Sequence, residues 1–191
     1  MSRHIDKTKI NALHLRAWEG SVELIQTQHD ARIAMQHCCR ERVLGFDTET
    51  RAAFRKGEIY APALLQLATA QTVYLFRVQE DGVLPACRPV LECAGVVKAG
   101  VAIGDDLNAL RAMLAFEPRG FIELQTLSTQ KGIRNNGLRG LAALLLGFRV
   151  SKGAQTTNWE KPELSERQLR YAATDAWVSR EIYLALTQGK A

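Results

Sequence analysis

The sequence predicts an α/β domain in which a mixed five-stranded sheet is flanked by helices. Apolar runs of strand length recur along the chain, each bounded by turn residues. Helix-length amphipathic stretches separate the later runs. The strands come first in succession and only then alternate with helices, which is the order expected of a mixed sheet covered by helices.

Residues 1–20 mix charged and apolar side chains without a clear period, and read as a loosely ordered lead-in to a domain over 21–191. Residues 21–40 carry Val22, Leu24, Ile25, Ile33, Ala34 and Cys38 at broadly helical spacing. A buried strand follows over 43–46. Residues 63–68 and 72–78 are two more strands, and the break at 69–71 suits a hairpin. A helix over 85–93 leads into a fourth strand over 96–103. Leu107, Leu110 and Leu114 share one face of a helix over 107–116, and 121–124 is the fifth strand. An apolar helix over 138–146 lies between Gly137 and Gly147. The last helix opens at Leu164. Ser165 and Gln168 form a capping box there, and Leu164 with Leu169 supplies the hydrophobic staple.

Composition narrows the class. The 191 residues are 47% hydrophobic and 24% charged, as in a globular domain. The longest apolar stretch, 141–148, is far too short to span a bilayer. His4, Asp6, Lys7 and Lys9 leave the N-terminus without the apolar core of a signal peptide, so a cytoplasmic location and no membrane partner are expected. Cys38, Cys39, Cys87 and Cys93 have neither zinc spacing nor a disulfide framework, and are expected as buried or half-buried free thiols. All four histidines (His4, His14, His29, His37) precede the first acidic motif, which rules out a histidine general base later in the chain.

Charge is placed unevenly. Residues 128–170 hold eight Lys or Arg against three Glu, an excess equal to the whole formal net charge of +5. A solvated helical surface would show the same excess. Beside a cluster of carboxylates, however, such a flank suits a polyphosphate backbone.

Three short acidic segments supply those carboxylates: 46–50 (Phe-Asp-Thr-Glu-Thr), 104–106 (Gly-Asp-Asp) and 171–175 (Tyr-Ala-Ala-Thr-Asp). Each adjoins an apolar run, so acids are carried to the edge of a core. In a strand Asp47 and Glu49 project to one side while Phe46 and Thr48 point to the other. Asp105 and Asp106 stand where a strand passes into a helix; one is expected to cap that helix, leaving the other free to reach a metal. Tyr171 and Asp175 are four apart on the last helix and share a face. A core aromatic and a surface charge would conflict there, and a site that needs both a phenol and a carboxylate resolves the conflict. Converging carboxylates repel one another unless divalent cations neutralise them, which points to metal-assisted phosphoryl transfer.

Residues 46–50, 98–106 and 171–175 resemble, in the same order, the three motifs of the DEDDy 3′–5′ exonuclease superfamily, which includes ribonuclease D and the Werner-type exonuclease domain. The run 62–69 (Pro-Ala-Leu-Leu-Gln-Leu-Ala-Thr) resembles the family's second strand, and the similarity extends over about residues 20–187. The resemblance implies an RNase H-like fold and release of nucleoside 5′-monophosphates from single-stranded 3′ ends of DNA or RNA. It implies two divalent cations, Mg²⁺ or Mn²⁺, held by Asp47, Glu49, Asp106 and Asp175, with Asp105 as an extra carboxylate beside the family position. Tyr171 would orient the attacking water; a phenol of ordinary pKa about 10 is a poor base at neutral pH. Thr48 and Thr50 would help seat the terminal nucleotide, and Arg134, Arg139 and Lys152 would contact phosphates. Trp159 either stacks on a base or packs its loop against the last helix. Two other readings stand beside this one. An RNase H-like endonuclease also uses a carboxylate quartet but has no need of the tyrosine. A catalytically inactive nuclease fold serving as a nucleic-acid or protein binding module would be expected to have lost a ligand, and none is missing.

Overall fold

The structure, a computed structural model, describes residues 3–55 and 57–188. A six-stranded sheet forms its centre: β1 (Ser21–Ile25), β2 (Val43–Thr50), β3 (Pro62–Ala68), β4 (Thr72–Arg77), β5 (Val97–Gly100) and β6 (Phe121–Glu123), in the spatial order β1-β4-β3-β2-β5-β6. Strands β2, β3 and β4 pair antiparallel, while β1–β4, β2–β5 and β5–β6 are parallel. The mixed α/β class read from the sequence therefore holds. Around the sheet lie α1 (Lys7–Ala12), α2 (Gln28–Cys38), α3 (Val83–Leu91), α4 (Ile103–Met113), α5 (Leu124–Gln130), α6 (Leu138–Leu141) with a π-helical turn over Ala142–Leu146, and α7 (Glu166–Thr187).

The strand count is corrected from five to six. Residues 21–25, expected as helix, form an edge strand in which half-buried Val22 and Leu24 alternate with exposed Ser21 and Glu23. The helix waits until Thr27, whose side chain accepts from the Asp30 amide. At the other boundary, β5 stops at Gly100 and α4 opens at Ile103, earlier than the apolar spacing suggested. The turn between them uses Ala102 in the left-handed region at φ 59°.

Strand parity sorts the core into two faces. On β3, Leu65 and Leu67 enter a cluster with α2, α3 and α4, whereas Leu64 and Ala68 face Ala172, Ala173 and Ala176 of α7. Trp159, fully buried, joins the α7 side and lies 6.1 Å from the Tyr171 ring, so packing is its role rather than base stacking. All four thiols are free, but Cys39 is exposed, not buried as expected. Among the described residues no helix is long and apolar enough to cross a membrane.

Gly45 decides how closely α7 approaches β2. A Cβ built there would stand 1.8 Å from the carbonyl oxygen of Ala176, a backbone atom that cannot rotate away. That contact lets Asp175, one residue before Ala176, reach the acidic end of β2. Gly45→Ala must therefore push the helix off the strand. The expected cost is about 3 kcal/mol, at the upper end for overpacking, read as a lower urea midpoint. A wild-type midpoint would show that α7 is not seated by this contact.

Candidate active site

Strand β2 delivers two of the acids, as its parity requires. Phe46 turns into the core and meets Phe121 edge-on at 5.1 Å. Asp47 and Glu49 project from the opposite face, under α7. Asp175 comes down from that helix, so that one carboxylate oxygen from each of Asp47, Glu49 and Asp175 lies within 4.8 Å of the others. Glu49 and Asp175 are both only 7% exposed. The β2–β3 register places Gln66 directly opposite Asp47. Gln66 is fully buried, and neither its Oε1 nor its Nε2 has a protein partner.

Asp106 enters from the first turn of α4. The Thr48 hydroxyl donates to Asp106 Oδ1 at 2.5 Å, fixing this fourth acid against β2. Asp105, its neighbour, is exposed. Neither acid caps the helix, contrary to the sequence reading. The cap is Glu123, whose carboxylate accepts from the Ala102 and Ile103 amides at 3.0 and 2.8 Å and also from Gln125 at 2.9 Å. Glu123 thereby ties the openings of α4 and α5 together and leaves Asp106 to bond Thr48; Asp106 lies outside the group of three oxygens within 4.8 Å. Thr50 stands half-buried at the end of β2, where the register with β3 shifts.

Burial is the largest cause that raises every carboxylate here. Asp47 lies well above the usual carboxylate range, through burial and then the charges of Asp175 and Asp106. Burial and then Asp47, Asp175 and Asp106 push Glu49 up to about 10. Asp175 rises to about 7 by burial, against the opposing pull of the Tyr171 hydroxyl. Asp106 is raised by burial, and its bond from Thr48 draws it partly back. Tyr171 is itself raised well above an ordinary phenol by burial and by Asp175 and Glu49. Buried Asp175 Oδ1 has no hydrogen-bond partner. Buried acids with raised pKa values, an orphaned carboxylate oxygen and an all-oxygen donor set fit a hard divalent cation such as Mg²⁺ or Mn²⁺.

A cleft of about 510 Å³ reaches this centre at Tyr171 and is lined by Arg134, Arg139 and Lys152, the three cations singled out in the sequence, together with Lys7. Two exposed apolar residues escaped sequence reasoning. Phe54 and Ile59, 80% and 93% exposed, sit on the segment joining β2 to β3. The available signal was large apolar side chains in a polar connection directly after the first acidic motif.

A family profile described as 3′-5′ exonuclease matches residues 22–189 of the chain. The chain belongs to this 3′-5′ exonuclease family. The mouse bifunctional 3′-5′ exonuclease/ATP-dependent helicase WRN is 31% identical over 150 residues, covering 75% of this chain and 11% of that protein. The Aedes aegypti Nibbler EXO domain superposes with a TM-score of 0.80 at 27% identity, covering 93% of this chain and 92% of that one. Trypanosoma brucei RNase D, solved in complex with an RNA, gives a TM-score of 0.78 at 19% identity over 88% of this chain and 63% of that one, a likeness of fold alone. The chain spans only 11–29% of the length of the first three curated relatives it matches. All three acidic segments lie inside the region matched to the exonuclease family, so the DEDDy resemblance is borne out.

Proposed function

We propose that this chain hydrolyses single-stranded DNA or RNA from the 3′ end, one nucleotide at a time, releasing nucleoside 5′-monophosphates with the help of two Mg²⁺ or Mn²⁺ ions. The observation that carries the reading is the convergence of Asp47, Glu49 and Asp175 within 4.8 Å, with Asp106 and the Tyr171 phenol beside them. The ions, when bound, supply positive charge that offsets the carboxylates and the charge developing on the phosphodiester.

The chain's own groups do the rest. Asp47, Glu49, Asp106 and Asp175 hold the ions, and Thr48 keeps Asp106 in place. Thr50 seats the terminal nucleotide. Arg134, Arg139 and Lys152 hold the preceding phosphates. Exposed Phe54 offers a ring on which a base can stack. Tyr171 keeps its proton and orients the attacking water by a hydrogen bond. The water oxygen bonds to phosphorus as its proton passes to solvent, the P–O3′ bond breaks, and the departing 3′ oxygen takes a proton from solvent to become the new 3′ hydroxyl.

Incubation with 5′-labelled and 3′-labelled single strands of DNA and RNA, in Mg²⁺, Mn²⁺ or EDTA, tests this. A metal-dependent ladder from the 5′ label with mononucleotide from the 3′ label is expected, and the better strand names the sugar. Internal cuts would turn the reading to an RNase H-like endonuclease. An intact strand under every condition would turn it to a binding module.

A further inference from the structure

Residues 3–18 lie before the region matched to the exonuclease family, yet Lys7 and Ile10 of this segment help line the basic cleft, and the segment is fastened to the rest of the domain along its length. Arg3 donates its amide to the Gly132 carbonyl and accepts from the Arg134 amide, both at 3.0 Å. Asn135 clasps Ile5 in both directions, its Oδ1 accepting from the Ile5 amide at 2.8 Å and its Nδ2 donating to the Ile5 carbonyl at 2.9 Å. Asn11 Oδ1 accepts from Arg139 Nη2 at 2.5 Å. The Leu13 carbonyl accepts from Arg149 Nε at 3.0 Å, and the Trp18 amide donates to Thr174 Oγ1, next to Asp175, at 3.0 Å.

We propose that this segment is the outer wall of the nucleic-acid cleft, with Lys7 contacting a backbone phosphate and Asn11 serving as a positioning residue that aims Arg139 at the same strand. The inference rests on the exonuclease reading above. Lys7, Arg134, Arg139 and Lys152 line one cleft together with Tyr171, and no Asp or Glu lines it with them. Among the described residues no salt bridge to a carboxylate occupies any of the four cations. Arg139 Nε is buried and has no acceptor. A donor held in this way, in a residue that lines an acid-free cleft, suits the oxygen of an anion, and four cations lining one cleft suit a chain of phosphates. Lys9, only two residues from Lys7, instead meets Asp6 at 3.8 Å and does not line the cleft.

Steady-state kinetics on a 5′-labelled single-stranded 20-mer and on a dinucleotide, with binding of the 20-mer followed by anisotropy in EDTA, test the proposal. For Lys7→Ala the expected result on the 20-mer is a KM and Kd raised about fivefold with kcat unchanged. The slope of log Kd against log salt should fall by about 0.7, one single-strand phosphate contact. Lys7→Arg restores both, and Lys9→Ala matches wild type. Asn11→Ala raises KM on the 20-mer, while dinucleotide hydrolysis, which does not need the length of the cleft, stays at the wild-type rate in all variants. Equal melting temperatures exclude unfolding, since Lys7 and Asn11 are both exposed. A protein that cuts the 20-mer while Lys7→Ala keeps wild-type KM, Kd and salt slope overturns the wall. Lys7-dependent binding without cutting upholds the wall and overturns the exonuclease reading. Neither binding nor cutting overturns both.

Discussion

Asp47→Ala or Asp175→Asn is expected to lower metal-dependent hydrolysis on the order of a thousandfold or more while making the metal-free protein more stable. The two effects share one cause. Each acid is buried among others of the same sign, so in chelator the folded state carries a repulsion that the unfolded chain does not. Deleting one acid relieves it, and on the proposed reading also removes one of the oxygens that would hold the ions. In EDTA at neutral pH the melting temperature of Asp175→Asn should exceed wild type by about 5 °C. Adding Mn²⁺ should raise the wild-type value and leave the variant where it was, because only a state that binds ligand is stabilised by it. A variant that melts below wild type in EDTA, or that keeps metal-dependent activity, would remove the residue from the centre.

The pH dependence follows with its sign. Asp175 has a folded pKa of about 7 against about 3.9 in an unfolded chain. Its folded value is raised, so between those two pH values the folded state holds more protons than the unfolded state. Stability of the metal-free wild type therefore falls as pH rises from about 4 through 7. Glu49, pushed up to about 10, extends the fall to higher pH. Asp175→Asn lacks the first of these contributions. Its advantage in EDTA should be small at pH 4 and widen towards pH 7, which parallel thermal melts across that range would read directly.

What could be read from the sequence was whatever depended on neighbours in sequence. Strand parity put Asp47 and Glu49 on one face, helical spacing put Tyr171 beside Asp175, and Ser165 with Gln168 marked the opening of α7, where both halves of the capping box are present. The cap of α4 was misread because Glu123 arrives from 20 and 21 residues away, across the parallel β5–β6 pair. Nothing local distinguishes that long-range cap from Asp105 or Asp106. β1 was missed because five residues of weak alternation adjoin a true helix, and its pairing partner, β4, is distant in sequence. Gln66 carries no local signal within its strand; only the register with β2 shows that it stands opposite Asp47. Residues 3–18 show no period because their order comes from bonds to loops more than a hundred residues away.

Tyr171→Phe is expected to cut kcat about a hundredfold, the usual loss for one hydrogen-bond donor acting at the transition state, and to leave the Mn²⁺-induced rise in melting temperature unchanged. Burial, Asp175 and Glu49 hold the phenol well above its ordinary pKa, which keeps it protonated at neutral pH. In the proposed mechanism it acts as a donor and not as a base. The ring packs near Trp159 and the α7 face of the core, contacts that phenylalanine keeps, so the loss should fall on rate and not on folding. The shape of the pH–rate profile separates the roles. If the hydroxyl only orients water, wild type and Tyr171→Phe give parallel profiles offset by a constant factor. An alkaline rise present in wild type and absent from the variant would make the tyrosine a phenolate base, and an unchanged kcat would take it out of the mechanism and leave the carboxylates to position the water alone.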